Sequence, residues 1–163
     1  MDEVWKPVVG WELYEVSTLG NVRNSKTGRL LKPSNSFSEE YLKYTLCVQY
    51  KRLHVRASRL VALTFIPNPS NLPEVDHINN DKRDNRVCNL RWATRGQNGY
   101  NKPIQKNNTT GYKGVSKHGS KYQVHIVKDG VQTHIGLFAT KEEAHAAYCA
   151  AAVKHYGEFA RFS

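Results

Sequence analysis

The chain has 163 residues, 39% of them hydrophobic, with 24 Lys and Arg against 14 Asp and Glu for a net charge of +10. That length is one ordinary domain or two to three small ones. It offers neither the ~20 consecutive apolar residues of a membrane span nor a signal-peptide core, so a soluble, intracellular protein is expected. The excess of positive charge points to a polyanion, nucleic acid ahead of an anionic membrane, because neutralising phosphates releases counterions. It divides as +3 over residues 1–74, +4 over 75–106 and +3 over 107–163, so each part is expected to face the same polyanion. Cys47, Cys88 and Cys149 are spaced too widely for a disulfide framework or a CxxC zinc knuckle, and reduced, mostly buried thiols are expected.

The first elements are aromatic. Trp5, Trp11 and Tyr14 lead into Tyr14–Asn24, where apolar positions alternate on either side of Gly20-Asn21, the pattern of a small antiparallel hairpin. Between residues 21 and 60 nine basic side chains, among them Arg23, Arg29, Lys32, Arg56 and Arg59, stand against Glu39 and Glu40 alone, a density that suits a solvated face as well as a phosphate-binding one. From Ser58 the spacing of Leu60, Val61, Leu63 and Thr64 predicts a short amphipathic helix stopped by Pro67, with a packing role. Two breaks follow. Pro67–Pro73 cannot continue a helix, and the polar stretch Lys102–Gly111 would span ~30 Å if extended, as a flexible tether.

After the second break, Tyr112–Lys117, Lys121–Lys128 and Val131–Phe138 read as three antiparallel strands, turned at Gly119-Ser120 and Asp129-Gly130. Thr140 and Glu143 form a capping box that opens a helix to about Tyr156, ended by Gly157. Its small-residue stripe, Ala144, Ala147, Tyr148, Ala151 and Ala152, is suited to lie close on Tyr122, Val124 and Ile126 of the middle strand. Gln123, His125 and Val127, with Lys113, Ser116, His118, Gln132 and His134, are left on a largely uncovered face, where by themselves they could be ordinary solvent-facing residues.

The middle segment, from Pro73 to Asn98, carries the chemistry. In-line attack of water on a phosphodiester needs a base, a cation for the developing charge and a group that holds the base in place. Asp76 is a hard oxygen ligand suited to Mg²⁺ or Mn²⁺, and His77 a base that titrates near neutrality. Neighbours on a strand point to opposite sides, so the two share a site only where the strand ends, bends or bulges. Asn89 opens a second extended stretch, Asn89–Trp92, and could position the loop and the imidazole through its amide. Thr94 is a candidate N-cap that places Asn98 in the first turn of a helix, its amide oxygen a second metal ligand.

In this order, Asp-His-Ile-Asn, Asp-Asn-Arg, Asn-Leu-Arg-Trp and Gln-Asn, the segment resembles the HNH, or ββα-metal, nuclease motif as found in phage and intron-encoded homing endonucleases. The resemblance implies His77 as general base, Asp76 and Asn98 on one divalent ion per site, Mg²⁺ or Mn²⁺, and Asn89 as the motif's central asparagine; without CxxC pairs no structural zinc is expected. The first segment, through Trp5, Tyr14–Arg23 and, further on, Arg59–Pro69, resembles the NUMOD-like N-terminal module of the same proteins. Arg23, Arg29 and Lys32 are its candidate DNA contacts. Residues 107–163, through Gly111–Val115, Ile135–Phe138 and Glu143–Tyr148, resemble the APETALA2/ethylene-response-factor domain, whose uncovered sheet face enters the major groove. The matching positions are Lys113, Gly114, Ser116, His118, His125, Gln132 and His134, where Lys, Ser, Gln and His replace the family's usual Arg and Trp.

The expected architecture is α+β: a β-rich module over 1–66, a ββα-metal finger with its linker over 67–106, and a three-stranded antiparallel sheet packed on one helix over 107–163. The expected activity is a sequence-directed DNA endonuclease that leaves a 5′-phosphate and a 3′-hydroxyl. Arg83, Arg86, Arg91 and Arg95 are candidates for phosphate contacts. Double-stranded DNA is the expected partner, with no membrane and no obligate protein partner, and the cytoplasm of a phage-infected bacterial host the expected compartment. The alternative is a non-enzymatic regulator that binds DNA through the C-terminal sheet.

Overall fold

The computed structural model describes residues 2–34, 40–48 and 51–162. The chain is α+β, with small antiparallel sheets and three α-helices among the described residues, and it divides into two compact units, Met1–Ala93 and Thr94–Ser163. Glu39, counted above among the acidic residues, lies outside the described residues.

The first unit begins with the sheet β1 (Trp5–Val8), β2 (Trp11–Ser17) and β3 (Val22–Asn24), turned between β2 and β3 where the alternation predicts. A second ladder pairs β4 (Lys43–Val48) with β5 (Lys51–Arg56), and α1 (Ala57–Phe65) follows without a break. Tyr14 joins β2 to β4, its hydroxyl accepting from the Cys47 N–H at 2.9 Å. β6 (Glu74–His77) then pairs with β7 (Leu90–Ala93).

One core serves all of these elements. Val8, Val16 and Val22 from the first sheet, Leu46 from β4, Leu60 and Val61 from α1 and Leu90 from β7 are in the same cluster, each at most 4% exposed. Burying a side chain of this size contributes about 1.5–3 kcal/mol, so the β6–β7 hairpin is anchored on the N-terminal module. The Trp92 indole donates to the Ile66 carbonyl at 2.9 Å, and the Arg59 guanidinium, over that indole, donates to the Pro73 carbonyl at 2.6 Å. The proline-rich break is thereby held at both ends.

The second unit opens with α2 (Arg95–Tyr100) and continues into β8 (Val115–His118), β9 (Lys121–Lys128) and β10 (Val131–Phe138), with β9 central. A bulge falls between His134 and Gly136. The helix α3 (Lys141–Tyr156) starts on the Thr140–Glu143 capping box and lays Ala144, Tyr148 and Ala152 against Val115, Val124 and Ile126. Gly114, at φ 71° just before β8, lies against the helix: a Cβ there would stand 2.2 Å from the Tyr148 ring.

The stretch Lys102–Gly111 is not a free tether. The Asn108 carboxamide accepts from the N–H groups of Thr110 (3.0 Å) and Gly111 (2.7 Å) and donates to the Tyr112 carbonyl (2.9 Å), and the Thr110 hydroxyl donates to the Val115 carbonyl (3.0 Å). Polar composition here builds side-chain-to-backbone turns rather than a flexible spacer. The cysteines also differ from expectation, since Cys47 and Cys88 are exposed and only Cys149 is partly covered.

Candidate functional site

β6 ends at His77, which lets two sequence neighbours be buried together: Asp76 is 3% exposed and His77 5%. The chain leaves the strand through a turn closed by the Asn80 N–H on the His77 carbonyl (2.9 Å), with Asn80 at φ 64°. Asn79 and Asp81 continue it as Asx turns, accepting from the N–H groups of Asp81 (2.8 Å) and Arg83 (2.9 Å).

Asn89 closes this loop. Its Oδ1 accepts from the Asn79 N–H at 3.0 Å, and its Nδ2 donates to Asn79 Oδ1 at 2.9 Å and to the Asp84 carbonyl at 2.8 Å. It does so as the last residue of a 3₁₀ turn, Val87–Asn89, not as the first of a strand. The imidazole itself is held by Asn85, whose Oδ1 lies 3.1 Å from His77 Nε2. Asn85 is 4% exposed, and its Nδ2 donates to the Arg83 carbonyl at 3.0 Å, which fixes which end of the amide faces the ring.

The N-terminal hairpin backs this contact. Gly20, at φ 88°, lies so close that a Cβ there would meet the Asn85 Cβ at 2.8 Å, and the Val87 N–H donates to the Thr18 carbonyl at 2.9 Å.

Asp76 pairs with Arg91, directly opposite on β7, whose Nε donates to Oδ2 at 2.9 Å. Burial lowers the His77 pKa below its usual value, outweighing the opposite pull of Asn85 and of the nearby Asp76, Asp81 and Asp84 carboxylates. Asp84, gripped by both Nε and Nη2 of Arg86 at 2.7 Å, is lowered to about 2. The Tyr41 ring lies 6.1 Å from that of His77, with the cations of Arg56 and Lys82 over it.

Asn98 sits in the second unit, on α2, where Thr94 and Gln97 form a capping box and the Asn98 N–H donates to the Thr94 carbonyl at 3.0 Å. α2 is fastened within that unit. Tyr100 stacks on Tyr156 at 4.1 Å between centroids, and its hydroxyl donates to Asp129 Oδ1 (3.0 Å) and accepts from the Asp129 N–H (2.9 Å). Among the described residues no three His, Cys, Asp or Glu side chains converge as a metal site. The Asp76 carboxylate and the Asn98 side-chain amide each offer an oxygen of the hard type that Mg²⁺ takes.

The other residues named from sequence are placed as follows. Arg23 is paired with Glu15 (2.6 Å) over the Trp5 ring, and Arg29 and Lys32 line an open cleft of about 470 Å³ with Tyr14 and Thr45. Arg83 and Arg95 are exposed, while Arg86 and Arg91 hold Asp84 and Asp76. The Lys113 ammonium donates to the carbonyls of Tyr100 (2.6 Å) and Lys102 (2.7 Å), and Gly114 makes room for Tyr148. Ser116 and His118 lie exposed on β8, Gln132 and His134 exposed on β10, and the His125 and His134 rings face each other across the strands, tilted by 37° with centroids 4.9 Å apart.

Asn85, Asn79 and Tyr41 are absent from the sequence-based site. Asn85 stood inside the quoted Asp-Asn-Arg run, so its signal was present; nothing in the sequence brings Tyr41 to His77.

Comparison with known proteins follows the same outline. Residues 3–47 match the model of the NUMOD4 motif, and residues 56–100 that of HNH endonucleases. An uncharacterized HNH endonuclease of Acanthamoeba polyphaga mimivirus, L247, is 46% identical over 103 residues, covering 59% of this chain and 25% of that protein. The DNA endonuclease I-HmuI of Bacillus phage SP01 is 34% identical over 91 residues, 55% of this chain and 52% of that protein. The chain thus spans from a quarter to about half the length of these relatives. A solved structure describing DNA binding and cleavage by the HNH homing endonuclease I-HmuI aligns with 94% of this chain and 91% of that one, at a TM-score of 0.55 and 25% identity. The segment that carries Asp76, His77, Asn89 and Asn98 is therefore the one similar to HNH endonucleases, inside an α+β chain similar along nearly its whole length to an HNH homing endonuclease.

Proposed function

We propose that the chain is a sequence-directed DNA endonuclease of the HNH homing type, a hydrolase of phosphodiester bonds that works with one divalent ion, Mg²⁺ or Mn²⁺. The observation that carries this reading is the buried His77–Asn85 contact beside Asp76. An imidazole with its Nε2–H given to an amide oxygen is fixed in the tautomer whose Nδ1 holds the lone pair, and burial keeps it neutral near pH 7. In this reading Nδ1 takes the proton of the attacking water, and Asn89 keeps the loop that carries Asn85 in place.

Asp76 and Asn98 would hold the ion, with Arg91 orienting the Asp76 carboxylate. A divalent ion supplies positive charge for the phosphate and the leaving oxygen. The products are a 5′-phosphate and a 3′-hydroxyl. The segment 1–66, the finger 67–106 and the APETALA2-like 107–163 form the three functional parts, with the exposed face of β8–β10 reading the duplex.

The test is cleavage of a randomised plasmid library with Mg²⁺ against EDTA, for the parent chain and His77→Ala. The expected result is metal-dependent cutting that falls ~10²–10⁴-fold in the variant while duplex binding changes less than about twofold. Binding without cutting by the parent chain would leave a DNA-binding regulator; full activity in His77→Ala would overturn the assigned base.

A further inference from the structure

The wall beside His77 carries a cluster that this chemistry does not use. Tyr41, just before β4, Arg56, at the end of β5, and Lys82, in the loop after β6, come together from three separate points of the first unit. The Arg56 guanidinium lies 4.2 Å from the Tyr41 ring centroid and the Lys82 ammonium 5.2 Å, with the ring itself 6.1 Å from His77. Both cations lie over the same ring, and Arg56 opposes the charge on Lys82, which is sustained chiefly by its pairing with Glu40. The Glu40 side chain is 68% exposed, and an ion pair so open to solvent is weak and readily exchanged.

We propose that Tyr41, Arg56 and Lys82 form a seat for a DNA backbone phosphate within two nucleotides of the scissile one, with Glu40 holding that place in the free protein. Successive nucleotides rise ~3.4 Å along a strand, so cations gathered on a ring 6.1 Å from the base are within reach of a phosphate one or two nucleotides from the cut. The guanidinium fork matches phosphate oxygens, and contacts of this kind set the register of the duplex without reading its sequence. The seat rests on the nuclease reading, since it is defined by the position of the cut.

The test first maps the cut made by the parent chain. In the His77→Ala chain, which is expected to bind without cutting, each phosphate within two nucleotides of that cut is replaced in turn by an uncharged methylphosphonate. One replacement should weaken binding about tenfold. Arg56→Gln or Lys82→Gln should weaken binding similarly, make the same methylphosphonate cost nothing further, and flatten the salt dependence of log K by ~0.9. Glu40→Gln should tighten binding. Lys82 lies in a loop, so Lys82→Gln carries the test alone if Arg56→Gln disturbs folding. Losses that simply add at every phosphate overturn the seat and leave the nuclease reading standing; a parent chain that cuts no DNA removes the nuclease reading, and the seat with it.

Discussion

In the first unit Asp76, His77, Asn85 and Asn89 are all nearly out of contact with water, and each has a named partner. In the second unit Ser116, His118, Gln132 and His134 lie on an exposed sheet face, and the buried side is apolar. Burying polar groups costs free energy unless each is hydrogen-bonded, so a chain keeps such a network where fixed geometry matters. An exposed polar face gives up nothing in the free protein and leaves its contacts to a partner. The two units therefore place their vulnerable points differently: in close packing for the second, in amide hydrogen bonds for the first.

The largest expected effect tests the packing side. Gly114→Ala would bring a methyl to 2.2 Å from Tyr148 at a left-handed φ, which combines overpacking with backbone strain and should cost about 3 kcal/mol or more. Trp5, Trp11 and Trp92 all belong to the first unit, so amide exchange of β9 and α3 is the suitable readout. Unchanged protection there would show that the helix does not need this approach and would break the contrast.

On the polar side the effect is on rate. Asn85→Leu keeps the branched shape but removes the acceptor for His77 Nε2, and should lower cleavage by ~10²-fold, about 2.7 kcal/mol in the barrier. DNA affinity should stay within about twofold. Gly20→Ala pushes on Asn85 from the N-terminal hairpin and should reproduce about a tenth of that loss with every site residue unchanged. If Asn85→Leu cuts as fast as the parent, the buried network is structural only.

What could be read from the sequence follows the range of the interactions. The strands β9 and β10 and the capped helix α3 rest on signals confined to a few residues, the Asp129-Gly130 turn and the Thr140–Glu143 box, and the structure has them at the expected bounds. Residue types in the finger pointed to Asp76 and His77, but the partner of His77 depends on how the loop to Asn85 closes, and the Asp76–Arg91 pair on the register of β6 against β7. Tyr41 reaches His77 only through the fold of the whole unit. The polar run 102–111 was misleading because composition does not distinguish a solvated spacer from side chains that bond the backbone, as Asn108 and Thr110 do.

The smallest effect concerns Lys113, a candidate DNA contact whose ammonium is instead turned onto the Tyr100 and Lys102 carbonyls. Burial, and to a lesser degree the charge of Arg161, lowers its pKa from 10.5 to about 8. Between those two values the unfolded chain holds a proton that the folded chain has released, so this residue's contribution to stability rises with pH across that window. Lys113→Met removes the titration. The stability of the parent chain minus that of Lys113→Met, from urea melts monitored through α3, should therefore increase from about pH 8 to 10, by less than ~1 kcal/mol because the group is only partly shielded from solvent. A flat difference would mean that the two carbonyls hold the ammonium charged throughout, and this half-buried group would then be a polar tie in the second unit of the kind that marks the first.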